Sequence, residues 1–135
     1  MTSAVGLSGD YEIGVRPGDI DHMGHVNNAV YLTWVQDAVV RHWERLADAE
    51  AVTRHLWVAL KHEITYRRPA FLNDGIVASV TLEAAAGARA TFRTLFLRGE
   101  ERIAEVTSSW CALDAISRRP IRVPATTVAR FFAAV

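Results

Sequence analysis

Between about Asn28 and Ala47, large or apolar side chains recur at Tyr31, Trp34, Val35, Ala38, Val39, His42, Trp43 and Leu46. That is the spacing of a helix sustained over about five turns. Thr33, Asp37, Val40, Arg41 and Glu44 fall largely on the other side, with Asp37 and Arg41 spaced for an i,i+4 ion pair. A stripe this wide and this rich in tryptophan is expected to be embraced by a sheet rather than laid on one surface. The rest of the chain must therefore supply that sheet.

Beyond residue 56 the period changes to two. Val58, Leu60, His62, Ile64 and Tyr66 alternate with Ala59, Lys61, Glu63, Thr65 and Arg67 until Pro69 intervenes. Asn73-Asp74-Gly75 marks a turn, after which Ile76, Ala78, Val80 and Leu82 alternate with Val77, Ser79, Thr81 and Glu83. Two further segments run from Arg89 to Arg98 and from Arg102 to Asp114, set apart by Gly87 and by Gly99-Glu100. Short turns between successive strands imply an antiparallel meander. Before the helix, Tyr11, Ile13 and Val15 form a short half-buried strand ended by Pro17-Gly18. At the other end Pro124 opens a short helix carrying Val128, Phe131 and Phe132. The expected order is strand, long helix, four antiparallel strands and a terminal helix, an α+β layout with the sheet curled around one long central helix. Residues 1–135 read as one domain without repeat or linker.

Half of the 135 residues are hydrophobic, enough for a sizeable core. Fifteen basic and fifteen acidic side chains cancel, so no global field favours nucleic acid or an anionic membrane. The single cysteine, Cys111, excludes an intrachain disulfide and a cysteine-based zinc cluster and reads as a small strand hydrophobe. Residues Met1 to Asp10 have neither a basic start nor an apolar core, and no run approaches the roughly 18 residues of a membrane span. A soluble cytoplasmic protein is expected.

The chemistry gathers at the helix entrance, in Asp19-Ile-Asp21-His22-Met-Gly24-His25-Val-Asn27-Asn28-Ala-Val-Tyr31. Two acids, two histidines and two residues suited to N-capping precede the helix directly. A helix N-terminus carries unpaired N–H groups and about half a positive charge, so it can hold a developing oxyanion beside a carboxylate that attacks or activates water. Hydrolysis is the expected reaction class. Asp19 reads as a brace for the loop or a partner of Arg16. Asp21, His22 and His25 could in principle ligate zinc or iron. The loop imposes no three-ligand geometry, however, and no metal is expected.

The string Asp21-x-x-Gly24-His25-Val26-Asn27-Asn28-x-x-Tyr31, followed by Ile64-x-Tyr66-x-x-Pro69 and Asn73-Asp74-Gly75, resembles the hotdog-fold acyl-CoA thioesterases of the 4-hydroxybenzoyl-CoA thioesterase-like group. The resemblance implies a hotdog fold and hydrolysis of a fatty or aryl acyl-CoA. It implies a catalytic role for Asp21 as nucleophile or general base, and for Asn28 through its backbone N–H as the oxyanion donor. Some relatives carry a histidine at the position of Asn28 and a tyrosine at that of Pro17, so mechanisms using those side chains do not transfer.

Around this pair, Gly24, His25, Asn27 and Tyr31 are candidate substrate contacts, and Arg67 and Arg68 candidate ligands for the CoA phosphates. No cofactor is implied beyond the coenzyme A of the substrate. The family also implies a homodimer or homotetramer with sites at subunit interfaces. Trp34, Trp43, Trp57 and Trp110 read as core, and His62 as a satisfied core or interface histidine. The rival readings are a hotdog acyl-thioester hydratase or dehydratase and a non-catalytic acyl-CoA-binding domain.

Overall fold

The period-two segments become long strands. In Ile76–Ala86, Arg89–Arg98 and Glu101–Asp114 alternate residues share one buried face. In His55–Tyr66 a register shift between Ala59 and Lys61 breaks the alternation, so that Val58 and Leu60 are exposed. The computed structural model describes residues 4–134. Strands β1 (Ala4–Gly6) and β2 (Ser8–Ile13) precede helices α1 (Val30–Leu46) and α2 (Ala49–Arg54). Strands β3 (His55–Tyr66), β4 (Ile76–Ala86), β5 (Arg89–Arg98) and β6 (Glu101–Asp114) follow, then α3 (Ala125–Ala129) and β7 (Phe132–Ala134). A five-stranded antiparallel sheet has the order β2-β4-β5-β6-β3, and β1 pairs separately with β7. Gly87 and Gly99 turn the chain between β4, β5 and β6 with φ of 61° and 63°, where a side chain would be strained.

One face of the sheet buries Ile76, Ala78, Val80 and Leu82 from β4, Ala90, Phe92 and Phe96 from β5, and Ala104, Val106, Trp110 and Ala112 from β6. Tyr31, Trp34, Val35, Ala38, Val39, His42 and Trp43 are the buried residues of α1. All of them belong to the stripe read from the sequence. The Asp37–Arg41 pair forms at 3.4 Å on the exposed side. Neither α1 nor any other helix of the described residues is long and apolar enough to cross a membrane.

Three local expectations need correction, and one element has no counterpart among them. The strands do not form a simple meander, because β3 pairs with β6 at the far edge and not with its successor β4. The nine-residue connection 67–75 contains Pro69 and carries the chain across the end of the sheet, while β2 takes the free side of β4. The first long strand runs over Ser8–Ile13 and stops short of Val15, because Ile13 already faces Ile76, the first residue of β4. Of the residues expected on the terminal helix only Val128 lies there: Phe131 is in the turn after it and Phe132 in β7 opposite Gly6, since backbone pairing with β1 outcompetes a helix of five residues. Finally, α2 was not anticipated. Asp48 caps it, its Oδ2 accepting from the Ala51 N–H at 3.2 Å and its Oδ1 accepting from the Thr127 hydroxyl at 2.7 Å.

His42, on α1, is fully buried. Its Nδ1 lies 2.6 Å from the Tyr11 hydroxyl, and its ring meets Phe92 and Phe131 edge-on. A Cβ at Gly9 would run into both Tyr11 and His42, so a glycine is required at that close approach. Burial, with the nearby Arg45 charge, lowers the His42 pKa to about 4. The unfolded chain, titrating near 6.5, takes up this proton first as pH falls. The stabilisation is therefore complete above pH 6.5 and declines toward pH 4, by about 3 kcal/mol in all. Urea unfolding at pH 7 and pH 4.5 should show a steeper loss for the natural protein than for His42→Gln, which cannot titrate. Parallel losses in the two proteins would contradict this account.

Candidate active site

The approach to α1 is built as a chain of backbone clasps. Pro17–Asp19 forms one 3-10 turn, closed by the Arg16 N–H donating to Asp19 Oδ2 at 2.8 Å. Asp19 therefore braces the loop, through the backbone of Arg16 and not its guanidinium. Ile20 and Val26 bridge antiparallel, so residues 21–25 form a small hairpin tip. There the Asp21 N–H donates to His25 O at 3.0 Å and the Gly24 N–H to Asp21 O at 3.0 Å. Gly24 has φ 83°, a conformation that costs a side chain energy. Asp21 is half-buried. Its Oδ1 accepts from the Met23 N–H at 2.9 Å, and its Oδ2 has no partner among the described residues.

A second loop holds the first. The Val26 N–H donates to Ala70 O at 2.8 Å, joining the hairpin to the β3–β4 connection. Arg98 grips that connection through Pro69 O at 3.0 Å and Asp74 Oδ2 at 2.7 Å, and binds Glu101 at 2.7 Å. Burial pushes the Asp74 carboxyl up, but the Phe71 N–H and Arg98 outweigh it and hold the pKa below its ordinary value.

At the helix start almost every polar group is spoken for. The Asn27 N–H donates to Asp19 O at 2.8 Å, and Asn27 Oδ1 accepts from the Ala29 N–H at 2.9 Å. Asn27 O accepts from the Val30 N–H at 2.9 Å. Asn28 O accepts from the Tyr66 hydroxyl at 2.7 Å and from the Tyr31 N–H at 3.3 Å. The Asn28 N–H has no partner among the described residues. Of the two asparagines, Asn27 closes the turn that leads into α1, whose N-cap position is Ala29, and Asn28 is left with the free amide.

His25, Asn28, Tyr31, Arg67 and Arg68 line one cleft of about 200 Å³, with Tyr66 and the Pro69-Ala70 backbone. The structure thus gathers five of the eight residues singled out in the sequence. Asp21, Gly24 and Asn27 stand in the adjoining loop, outside the lining of this cleft. A larger cleft of about 370 Å³, lined by Arg16, Asp19, Thr33, Trp34 and Asp37 among others, flanks the other side of the helix entrance. Tyr31 is 2% exposed and packs against Trp34, Tyr66 and Phe96 with ring centroids 4.8, 5.3 and 5.3 Å away. Burial lifts its phenol to about 12 and also raises that of Tyr66. Both remain protonated donors at neutral pH.

Arg67 is anchored, its Nε 3.0 Å from Glu105 Oε1, whereas Arg68 makes only a 3.5 Å ion pair with Glu101. Among the described residues no group of three or more His, Cys, Asp or Glu side chains is placed to hold a metal ion. His62 differs from expectation, because both its ring nitrogens are buried without a partner. Sequence reasoning left out Tyr66 and Arg98. Tyr66 carried a signal, a strand-ending tyrosine directly before Arg67-Arg68-Pro69, but its partner 38 residues away did not.

The sequence profile of the thioesterase-like superfamily matches residues 15–131. No curated protein matches the sequence. Among solved structures, a thioesterase from Thermus thermophilus complexed with coenzyme A and zinc is similar at a TM-score of 0.77 and 25% identity, covering 90% of each chain. The probable thioesterase YbaW from Escherichia coli is similar in fold at 0.74 and 21% identity, over 90% of this chain and 97% of its own. The DHNA-CoA thioesterase from Staphylococcus aureus is similar in fold at 0.75 and 16% identity, over 85% and 80%.

Because Asn27 Oδ1 closes the turn that leads into α1 by accepting from the Ala29 N–H, Asn27→Ala should cost about 1 kcal/mol in urea unfolding, and Asn27→Asp, which keeps the acceptor, much less. Equal losses for the two variants would show that this bond does not stabilise the helix start.

Proposed function

Because this chain belongs to the thioesterase-like superfamily and is a thioester hydrolase, we propose that it cleaves a fatty or aryl acyl-CoA to the free acid and CoA. Asp21 is the reacting carboxylate, and the Asn28 N–H is the donor to the oxyanion. The observation that carries this reading is the unpartnered Asn28 N–H, in a residue that lines the cleft and whose other backbone group is bonded. A single well-placed donor to a developing oxyanion is worth about 3 kcal/mol.

Asp21 suits its role because only one carboxylate oxygen is tied down. The Met23 N–H orients Oδ1 and leaves Oδ2 for chemistry. As nucleophile, Oδ2 adds to the thioester carbonyl, CoA leaves as thiolate, and water then cleaves the mixed anhydride. As general base, Asp21 takes a proton from water while the water oxygen adds to the carbonyl, and collapse again expels the thiolate. Both routes place negative charge on the former carbonyl oxygen, where the Asn28 N–H acts. Neither draws on a cofactor beyond the CoA of the substrate.

Around that centre, His25 and Tyr31 contact the acyl thioester, while Gly24 and Asn27 shape the loop that presents Asp21. Arg68, loosely paired, is the freer ligand for CoA phosphates, and Arg67 a fixed one. In this reading the sheet curls around α1 as a hotdog fold, and the protein works in the cytoplasm. It forms a homodimer or homotetramer. Support comes from β3, an edge strand with Leu56, Val58 and Leu60 exposed, as a surface awaiting a second copy would be.

Acyl-CoAs of varied chain length and aryl type, followed with a thiol-reactive dye, should release CoA with the natural protein. Asp21→Asn keeps the acceptor for Met23 and should lose on the order of 1,000-fold in kcat while still binding CoA. Retained hydrolysis in that variant would remove Asp21 from the chemistry. Hydration of an enoyl-CoA without thiol release would replace the whole reading. Light scattering should give a mass of two or four chains at micromolar concentration, and a monomer at every concentration would exclude the oligomer.

A further inference from the structure

The segment Ile64-x-Tyr66-x-x-Pro69 lines the cleft and also makes the shortest hydrogen bond at the helix start. The Tyr66 hydroxyl, at the end of edge strand β3, donates to Asn28 O at 2.7 Å. Asn28 lies between two peptide planes. The plane before it, which carries the Asn28 N–H, is held at one atom only, where Asn27 O accepts from the Val30 N–H at 2.9 Å, and can still swing about that bond. The plane after it is fixed where the Ala29 N–H reaches Asn27 Oδ1 and where Asn28 O is held. The other donor to Asn28 O, the Tyr31 N–H, is at 3.3 Å and is the weaker one. Tyr66 is itself steadied by Tyr31, with ring centroids 5.3 Å apart and planes at 84°.

We propose that Tyr66 is a positioning residue for hydrolysis: its hydroxyl anchors Asn28 O and so sets the direction of the Asn28 N–H toward the reacting carbonyl. This rests on the reading of Asn28 as the oxyanion donor. The carbonyl that Tyr66 holds and the N–H that it aims belong to different peptide units, so the effect is one of orientation and not of polarisation. An oxyanion forms only along the reaction coordinate, and misdirection of its donor weakens the transition state while leaving the bound substrate nearly untouched. Desolvation raises the Tyr66 pKa, so the hydroxyl stays a donor across the neutral range. A link from β3 to the helix entrance also makes the donor's aim depend on the strand at the sheet edge.

The test is Tyr66→Phe, which keeps the ring against Tyr31 and removes only the hydroxyl. Wild type and variant are compared for acyl-CoA hydrolysis and thermal unfolding, with KM and kcat resolved separately. The expected result is a fall in kcat of about 10-fold to 100-fold with KM within about twofold and a melting temperature lowered by no more than about 5 °C, as the loss of one hydrogen bond allows. An unchanged kcat overturns the proposal. So does a loss confined to KM, or a fall in kcat accompanied by a larger drop in melting temperature, since either assigns Tyr66 to binding or to the fold. If the wild type releases no thiol from any acyl-CoA, the proposed function fails, and the role of Tyr66 fails with it. Activity in the wild type that Tyr66→Phe matches refutes the positioning role alone.

Discussion

Burial of the α1 stripe against one face of the sheet is the interaction on which the rest depends. Seven large or apolar side chains leave water together on α1, and burying a large apolar side chain contributes roughly 1.5–3 kcal/mol. No rotation or sliding of the helix keeps that sum. Tyr31 is both the first member of the stripe and a wall of the cleft, so the packing that stabilises the fold also sets where the helix begins. The polar groups before it inherit their placement from the core.

The loop ahead of the helix is pinned to the core through Val26, with Ile20 packed beside it, and hydrogen bonds hold the rest. Asp19 closes the first turn and accepts from Asn27, Val26 is tied to Ala70, and Arg98 clamps the connection to which Ala70 belongs. Each such bond adds about 1 kcal/mol or less net, but together they leave few free donors. The amides of His22 and His25 are also without a partner among the described residues, but only that of Asn28 lies directly at the helix start. Its availability gains meaning because the groups around it are engaged.

Much of this was legible beforehand because periodicity is local. The buried set of α1 and the alternation in β4, β5 and β6 follow from which side chains share a face, and any neighbouring residues reveal it. The site was legible in part for the same reason: Asp21 and Asn28 lie within one short segment whose turn and cap residues announce a helix entrance. Two of the misses share one cause. The pairing of β3 with β6 and that of β7 with β1 are contests between distant backbones, won by whichever edge is free once the rest has packed. Tyr66 stands in the Ile64-x-Tyr66-x-x-Pro69 pattern, but its role depends on a partner 38 residues away, which no local pattern reveals.

From the sequence alone come the long helix, the strands, the Asp21 loop at the helix entrance and the likeness to thioesterases, since each is written in neighbouring residues. Tertiary structure alone decided the strand order and brought Arg67 and Arg68 beside His25 and Asn28. It also divided the labour of the two asparagines and left His62 unsatisfied at an edge. Those outcomes depend on which hydrogen-bonding groups remain unpaired after distant segments meet, a quantity that exists only in the folded chain.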